Sequence, residues 1–282
     1  MAAASDIDGH CSEIFREGDR DRWLAHLFAP AAHRTGLAAL YAFNVEIARI
    51  RDLVSGAMPG EVRLQWWADV IGGQGRGAVE SHPVAAALNR TIVAYDLPRR
   101  PFLDLIEARR FDLYDDPMPD LASLEGYCGE TASALFRLAS LILAGGADPG
   151  FADAAGHAGV AYGITGLLRA FPIHAARGQV YLPADVLVRH GAERDDILNG
   201  RAGPPLLAAL AALRSEGRRH LKAANDALPS APASVRIALL PLALLEGWLG
   251  RMEGPAYQPF RDTADVPQWR RQWALWRRWR KS

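Results

Sequence analysis

The sequence predicts an all-α fold, and three observations support this prediction. Apolar residues recur at spacings of three, four and seven over most of the 282 residues, as they do on one face of an α-helix. The breaks between these runs are short and rich in glycine or proline, as at 72–73, 144–150 and 199–205. Alternating strand patterns are nearly absent, and "GQVYLP" at 178–183 is the one short extended candidate.

The predicted helices follow one another in chain order. In the first, at 31–54, Leu37, Leu40, Tyr41 and Ile47 fall on one side. The others lie at 62–71, 84–95, 101–113, 121–143, 151–171, 206–228 and 235–249. Since no repeat, linker or change of composition divides them, residues 1–265 are expected to form one helical domain around a long apolar interior, followed by a distinct segment at 266–282.

The composition limits the classes of function. Half of the residues are hydrophobic, and 32 basic residues balance 32 acidic ones, which excludes disorder and gives no general attraction to nucleic acid. Cys11 and Cys128 lack a metal-type or redox-type spacing, so a reducing compartment is the simpler expectation. The N-terminus lacks the pattern of a signal peptide, and no run approaches 18 uncharged apolar residues. These features predict a soluble or peripheral protein.

Four short segments carry a resemblance to a known family. They are "ALYAF" at 39–43, "HPVAAALNRTIVAYDLP" at 82–98, "LEGYCGETA" at 124–132 and "RGQVYLP" at 177–183. In this order and spacing they resemble the squalene/phytoene synthases, all-helical enzymes that condense two prenyl diphosphates head to head. The resemblance implies an isoprenoid-synthase-type bundle around a central apolar cavity. It also directs attention to the carboxylates that hold Mg²⁺ and the leaving diphosphate in those enzymes.

The first such motif in the family reads Cys-Arg-x-x-Asp-Asp-x-x-Asp, and this chain reads "YAFNVEIARIRD" there. Asn44 and Val45 replace the first two residues, and Ala48 and Arg49 replace the paired acids. Only Asp52 remains. One carboxylate cannot organise several Mg²⁺ ions, and Arg49 is expected to bring a repelling positive charge to the same face.

The second motif in the family reads Gln-Leu-x-Asn-Ile-x-Arg-Asp-x-x-Glu-Asp. Its key positions hold Gly163, Gly166, Ala170, Ile173 and His174 in this chain. Removing one group that stabilises charge in a transition state costs about 2.7–4 kcal/mol, so the loss of several predicts little prenyl transfer. His174 has no second metal-type ligand at a suitable spacing, and a structural role is the simpler interpretation.

The altered positions themselves resemble those of the non-catalytic complex I assembly factor branch of the same family. Both "AFNVEIARIRDLVS" and "LLRAFPIHAARGQVYLP" resemble the versions of the two motifs in that branch. The resemblance implies a role in building complex I, with a complex I subunit or assembly intermediate as partner. The expected location is the cytoplasm, peripheral on the inner face of the membrane, or the matrix side if the protein is mitochondrial.

Two further hypotheses remain open. Residues that match cavity positions of the family could be packing remnants, or they could hold the polar end of an isoprenoid or quinone lipid. These residues are Arg34, Tyr41, Asp52, Arg169 and Tyr181. Alternatively, the chain is a prenyl-diphosphate transferase in which Asp52 and acids from "FDLYDDPMPD" at 111–120 form an atypical Mg²⁺ site. The simpler interpretation of that cluster, which includes Asp112 and Asp116, is a solvated helix end. No metal or other cofactor is expected unless the enzyme hypothesis holds.

The C-terminal segment predicts a basic amphipathic helix. Four of the eight tryptophans lie within it and would occupy one arc. The candidates for contact with a membrane interface are Trp269, Arg270, Trp273, Trp276, Arg277, Trp279 and Arg280. Such a helix can lie in the interface, with its indoles at headgroup depth and its arginines on anionic lipid. It can also pack its tryptophans on the helical body and leave the arginines in water, and the sequence leaves both open.

Overall fold

The computed structural model describes residues 2–75 and 79–281 and contains only helices and connecting segments within them. The predicted all-α fold is therefore confirmed. Seventeen α-helices, α1 to α17, follow in chain order. They span Ala2–Gly18, Arg20–His26, Ala31–Ala48, Ile50–Leu53, Ala57–Gly72, Pro83–Ala94, Arg100–Ala108, Leu121–Cys128, Ala134–Leu143, Ala152–Arg169, Phe171–Ala176, Ala184–His190, Arg194–Leu198, Pro204–Ala227, Ala233–Arg236, Leu245–Met252 and Gln268–Trp279.

Helix α10 lies at the centre of the molecule and packs against α14, α9, α8 and α16. Its buried face is built from small residues, which allows neighbouring helices to approach closely. At Gly159 an added Cβ would lie 2.2 Å from the Cα of Ser133. Ser133 ends a π-helical segment, Gly129–Ser133, that joins α8 to α9, so the predicted helix at 121–143 is interrupted there.

A second layer is formed by α1, α3 and α6. Cys11 and Phe15 of α1 are buried against α3, whose own residues from Gly36 to Val45 are buried without interruption. The sequence did not predict α1. The apolar face of α1 was not recognised from the sequence, because polar residues contribute most of the helix surface.

The segment Ala233–Met252 is long and apolar enough to cross a membrane by length and composition. It is not one regular helix, because a 3₁₀ segment with Pro241 at its middle, Ile237–Leu244, separates α15 from α16. Leu239, Leu240 and Trp248 are fully buried in the protein. The apolar residues of this segment thus belong to the core.

The extended candidate at 178–183 pairs with no strand in the described part of the chain. Val180, Tyr181 and Leu182 are all buried, so this connection runs through the interior rather than alternating between two faces. The amide of Ala184 then donates to the carbonyl of Met118 at 2.9 Å, which fixes the connection against the segment before α8.

Candidate functional site

The surviving acid of the two motifs, Asp52, lies on α4, immediately after α3 ends. Arg177 follows α11, the short helix that carries the second motif, and its Nη1 donates to Asp52 Oδ1 at 2.6 Å. Both side chains are close to half exposed. The two segments that would hold metal between facing carboxylates are thus joined by one ion pair, in which the arginine neutralises the carboxylate.

The replaced positions of the second motif lie along α10 and α11. A side chain at Gly163 would begin 2.7 Å from Cys128 Sγ, so Cys128 fills the space in which the family glutamine would start. Ala170 caps α10, and Ile173 is exposed. His174 packs its ring on Tyr181 with 4.7 Å between ring centroids, and burial lowers its pKa to about 4, so the ring is neutral near pH 7.

Asp112 is buried, which corrects the expectation of a solvated helix end. A 3₁₀ turn at Arg109–Leu113 directs its side chain inward. Tyr127 and Tyr181 donate their hydroxyls to Asp112 Oδ1 at 2.8 and 2.7 Å, and Arg109 donates to Oδ2 at 2.9 Å. The carboxylate is therefore fully engaged, and burial and the nearby Asp112 raise the pKa of the Tyr181 hydroxyl. Asp115 and Asp116, by contrast, are exposed.

The interior of the bundle contains a buried arginine, Arg22. Its guanidinium lies over the ring of Tyr162 at 4.3 Å and within 5.7 Å of the rings of Phe136 and Tyr41. Asp19 pairs with it at 2.8 Å. Tyr41, a predicted cavity residue, is buried and stacks on Phe15 at 4.8 Å. These side chains occupy the space between α2, α3, α9 and α10.

Two interior cavities remain beside these residues, and both are small. One is lined by Arg22, Tyr41 and Pro241, and the other by Phe171, His174 and Tyr181; each has a volume of about 10 Å³. A site for a drug-sized ligand typically measures about 300–1,000 Å³. These two cavities therefore have room for about one water molecule each and none for a prenyl chain.

A more spacious cavity lies elsewhere and measures about 460 Å³. It opens between α1, α3, α5 and α6, and Glu46, Arg49, Trp66 and His82 contribute to its wall. Burial raises the pKa of the Glu46 carboxyl to about 7, and His82 Nε2 lies 3.4 Å from Glu46 Oε2. Arg49 contributes to the wall of this cavity, whereas Asp52 pairs with Arg177.

The other two predicted cavity residues have structural partners. Arg34 is exposed and donates to the carbonyls of Ala29 and Leu27 at 2.8 and 2.9 Å, which closes the end of α2. Arg169 lies 4.0 Å from the ring centroid of Trp248 and pairs with Asp21 at 3.2 Å.

Arg169 belongs to a network of four charges that also holds α17. Arg169 and Arg271 both pair with Asp21 and with Asp265, over distances of 2.8–3.2 Å. Leu275 on the same side of α17 is fully buried. The C-terminal helix therefore packs on the body through Arg271 and Leu275, and Trp279 adds a contact with Phe28 at 5.5 Å between ring centroids.

The outward side of α17 carries the tryptophans, and we call Trp269, Trp273, Trp276 and Trp279 the tryptophan ridge. Their exposed fractions are 63, 57, 36 and 43%. Trp273 and Trp276 stack on each other at 5.0 Å, and Arg280 lies 5.1 Å from the ring centroid of Trp276. The four indoles are thus partly exposed, and Trp279 also contacts Phe28 of the body.

One cluster of polar residues was missed by the sequence analysis. Glu125, Glu216 and His220 place one ligand-type atom each within 4.8 Å of the others. Glu216 and His220 stand four residues apart on α14, a spacing that places both on one face and could have signalled them. Glu125 comes from α8, and nothing in the sequence relates it to α14.

The geometry limits the chemistry available to the carboxylates near the two degenerate motifs. The remaining carboxylates, Asp52 and Asp112, point to arginines and tyrosines, not to a common centre. His174, with a pKa of about 4, is not suited to act as a general acid or base near pH 7, whereas the Glu46 carboxyl, with a pKa of about 7, titrates in that range.

Comparisons with known proteins agree with the architecture. The squalene/phytoene synthase family model matches residues 15–277. The chain is 33% identical to NADH dehydrogenase (ubiquinone) complex I, assembly factor 6 of Bos taurus, over 89% of this chain and 75% of that protein. It is 26% identical to phytoene synthase of Arthrospira platensis, over 97% and 93% of the two chains. A squalene synthase structure from Alicyclobacillus acidocaldarius matches with a TM-score of 0.74 at 22% identity, over 90% of this chain and 95% of that one.

Proposed function

This chain belongs to the squalene/phytoene synthase family, and we propose that it is a non-catalytic member that assists the assembly of respiratory complex I at a membrane surface. The observation that carries the non-catalytic part is the pair between Asp52 and Arg177. Several carboxylates must converge to hold Mg²⁺ against a diphosphate, and here the last acid of the motifs faces a cation instead.

The filled interior supports the same proposal. The guanidinium of Arg22 lies among three aromatic rings, and the adjoining cavities measure about 10 Å³. A substrate chain would have to displace a buried, paired charge, and removing one partner from such a pair costs about 3–5 kcal/mol. Substrate binding in this space is therefore strongly disfavoured.

The role in assembly is supported by similarity to assembly factor 6 from Bos taurus, at 33% identity. The proposed partner is a complex I subunit or an assembly intermediate. The site of action is the inner face of the membrane that holds complex I, which is the matrix side if the protein is mitochondrial.

The tryptophan ridge supports contact with the membrane itself. Indole rings prefer the headgroup region, and each basic residue near an anionic surface contributes about 1 kcal/mol of attraction. Arg270, Arg277 and Arg280 are exposed beside the ridge. No large structural change is needed for contact, because the tryptophans already face outward.

A genetic rescue tests the assembly role and separates it from catalysis. Deleting the gene in the source organism is expected to lower the amount of assembled complex I on native gels. Both the wild-type chain and Asp52→Asn should restore it, because the carboxylate has no catalytic task. Normal complex I in the deletion strain would contradict the assembly role, and failure of a stably folded Asp52→Asn would contradict the non-catalytic role.

A calorimetric titration tests the enzyme alternative. Mg²⁺ is added to the protein in the presence of a prenyl diphosphate, and heat from formation of a ternary complex is expected to be absent. An enzyme with a rebuilt metal site at Asp52 and Asp112 would give saturable heat and release pyrophosphate.

Vesicle flotation tests the membrane contact. Wild-type protein should float with vesicles containing anionic phosphatidylglycerol and lose binding when Trp273 and Trp276 are both changed to Ser or when 266–282 is deleted. Val188→Ser is the matched control, since Val188 is an exposed apolar residue on another helix. Equal flotation of all variants would contradict a membrane role for the ridge.

One observation favours a second function, the binding of an isoprenoid or quinone lipid. The cavity of about 460 Å³ beside Trp66 is large enough for part of such a molecule, and Ile14 and Leu53 give it an apolar wall. Native mass spectrometry of protein extracted from membranes should then show a bound apolar molecule that is lost on Trp66→Ala. Protein free of bound mass would contradict this function.

A further inference from the structure

Three potential metal ligands converge on one point between α8 and α14. Glu125 comes from α8, and Glu216 and His220 lie one turn apart on α14. His220 is buried, while both glutamates are partly exposed. This cluster does not include Asp52 or Asp112, although Glu125 lies in the segment "LEGYCGETA" at 124–132.

A cation already occupies the point at which the three ligands meet. The guanidinium of Arg219 donates to Glu125 Oε1 at 2.8 Å and to Glu216 Oε2 at 2.5 Å, and its Nη2 lies 2.7 Å from His220 Nε2. The Arg219 side chain is 55% exposed on a flexible stem. It can therefore leave this position without disturbing the core.

The contacts around His220 Nε2 do not suit either protonation state of this nitrogen. This nitrogen is 2.9 Å from Glu125 Oε1 and 2.7 Å from Arg219 Nη2. A protonated Nε2 suits the carboxylate but opposes the arginine N–H, and an unprotonated Nε2 suits the arginine but opposes the carboxylate. A cation that accepts the Nε2 lone pair and both carboxylates satisfies all three groups.

A second histidine lies behind the first and can fix its ring. Nδ1 of His157 on α10 lies 2.9 Å from Nδ1 of His220. When His220 donates its Nδ1–H to His157, its Nε2 lone pair points towards the carboxylates. This arrangement is the usual way in which a second polar group orients a metal-binding imidazole.

We propose that Glu125, Glu216 and His220 bind a divalent transition-metal ion that takes the place of the Arg219 guanidinium. The ligand set of one imidazole nitrogen and two carboxylate oxygens suits Zn²⁺ and similar ions better than Mg²⁺. His157 is the positioning residue for His220. Arg219 competes with the metal, so the chain contains both the proposed metal site and a side chain that can occupy it.

The test uses the full-length protein without an added histidine tag. Co²⁺ serves as the spectroscopic probe, because its visible absorption reports its ligands, and Zn²⁺ binding is measured by calorimetry and by displacement of Co²⁺. Wild-type protein should bind one equivalent of Zn²⁺. Arg219→Ala should bind several-fold tighter, since it removes the competing ion pairs. His157→Phe should bind about 10- to 100-fold weaker.

Ligand variants and a surface control complete the test. Glu125→Gln, Glu216→Gln and His220→Phe should each lose the Co²⁺ spectrum, and the exposed His10→Ala should retain it. The two glutamine variants change partly exposed side chains, so they remain informative even if His220→Phe does not fold. Absence of binding in both wild type and Arg219→Ala, or binding unchanged by the glutamine variants, would overturn the proposal and leave an ion-pair cluster only.

Discussion

At the scale of single residues, the interior near the two degenerate motifs contains charges that are paired with one another. Asp112 accepts hydrogen bonds from Arg109, Tyr127 and Tyr181, and Arg22 pairs with Asp19. These groups hold helices together, so their removal should affect stability before any other property.

Replacing Asp112 by Ala should lower the free energy of unfolding by about 3–5 kcal/mol, because it leaves the partly buried guanidinium of Arg109 without its carboxylate. Urea denaturation followed by circular dichroism measures this loss. The exposed neighbour Asp116→Ala is the control and should change stability by less than about 0.5 kcal/mol. Equal effects of the two changes would mean that Asp112 is not buried in solution.

His174 should make the protein less stable in mild acid. Burial lowers its pKa from 6.5 to about 4, so the folded state binds fewer protons than the unfolded state between these values. Its contribution to the free energy of unfolding is thus full above pH 6.5 and falls as the pH drops towards 4. Urea unfolding at pH 7 and pH 4.5 should show that His174→Gln gains stability relative to wild type at the lower pH. A constant difference between the two proteins would contradict this assignment.

At the scale of elements, close helix contacts depend on residues without side chains. Helix α10 crosses the π-helical segment at Gly159, where an added Cβ would meet the backbone of Ser133. Gly156, one turn earlier on the same helix, has no atom within 4 Å of the position of an added Cβ. The two glycines therefore form a matched pair.

Gly159→Ala should destabilise the protein by about 1–3 kcal/mol, because the backbone of Ser133 must move to make room. Gly156→Ala should instead stabilise it by about 0.5–1 kcal/mol, since alanine favours a helix interior. Thermal and urea denaturation of both variants check the opposite signs. Two effects of the same sign would show that α10 does not pack on this segment as described.

Helix α17 should open locally more often, independently of the core, when its fully buried side chain Leu275 is shortened. Leu275→Ala removes the apolar contact, while Arg271 still pairs with Asp21 and Asp265. Hydrogen exchange should show faster exchange in α17 and unchanged protection in α10. Gln272→Ala, at an exposed position of the same helix, should exchange as the wild type does. Protection of α17 that survives Leu275→Ala would mean that other contacts hold the helix.

At the scale of the whole molecule, a metal site and a chain-sized interior must both exist for prenyl transfer. The triple variant Ala48→Asp, Ala170→Asp, His174→Asp restores acids at three motif positions. It should still release no pyrophosphate from farnesyl diphosphate, because Arg22 and the rings around it fill the interior. Measurable turnover would show that the interior opens in solution, and the filled-interior argument would fail.

The sequence predicted those features that depend on local spacing or on a family pattern. Helical periodicity located most of the helices, and the motif comparison located Asp52 and the replaced acids. It could not predict features that join distant parts of the chain. His220 and Glu125 are 95 residues apart, and the inward turn of Asp112 depends on Tyr181, 69 residues later. From the sequence alone an acid-rich segment is predicted to be solvated, because the residues that bury one of its acids lie far away in the chain.

The four-charge network between α17, α2 and α10 also has a mechanical consequence. Because Arg271 and Arg169 share the same two aspartates, four ion pairs hold the C-terminal helix in a fixed position on the body. When the indoles contact a flat surface, the rest of the protein is therefore held at a fixed orientation relative to that surface. The same contacts also fix which face of the protein points away from that surface.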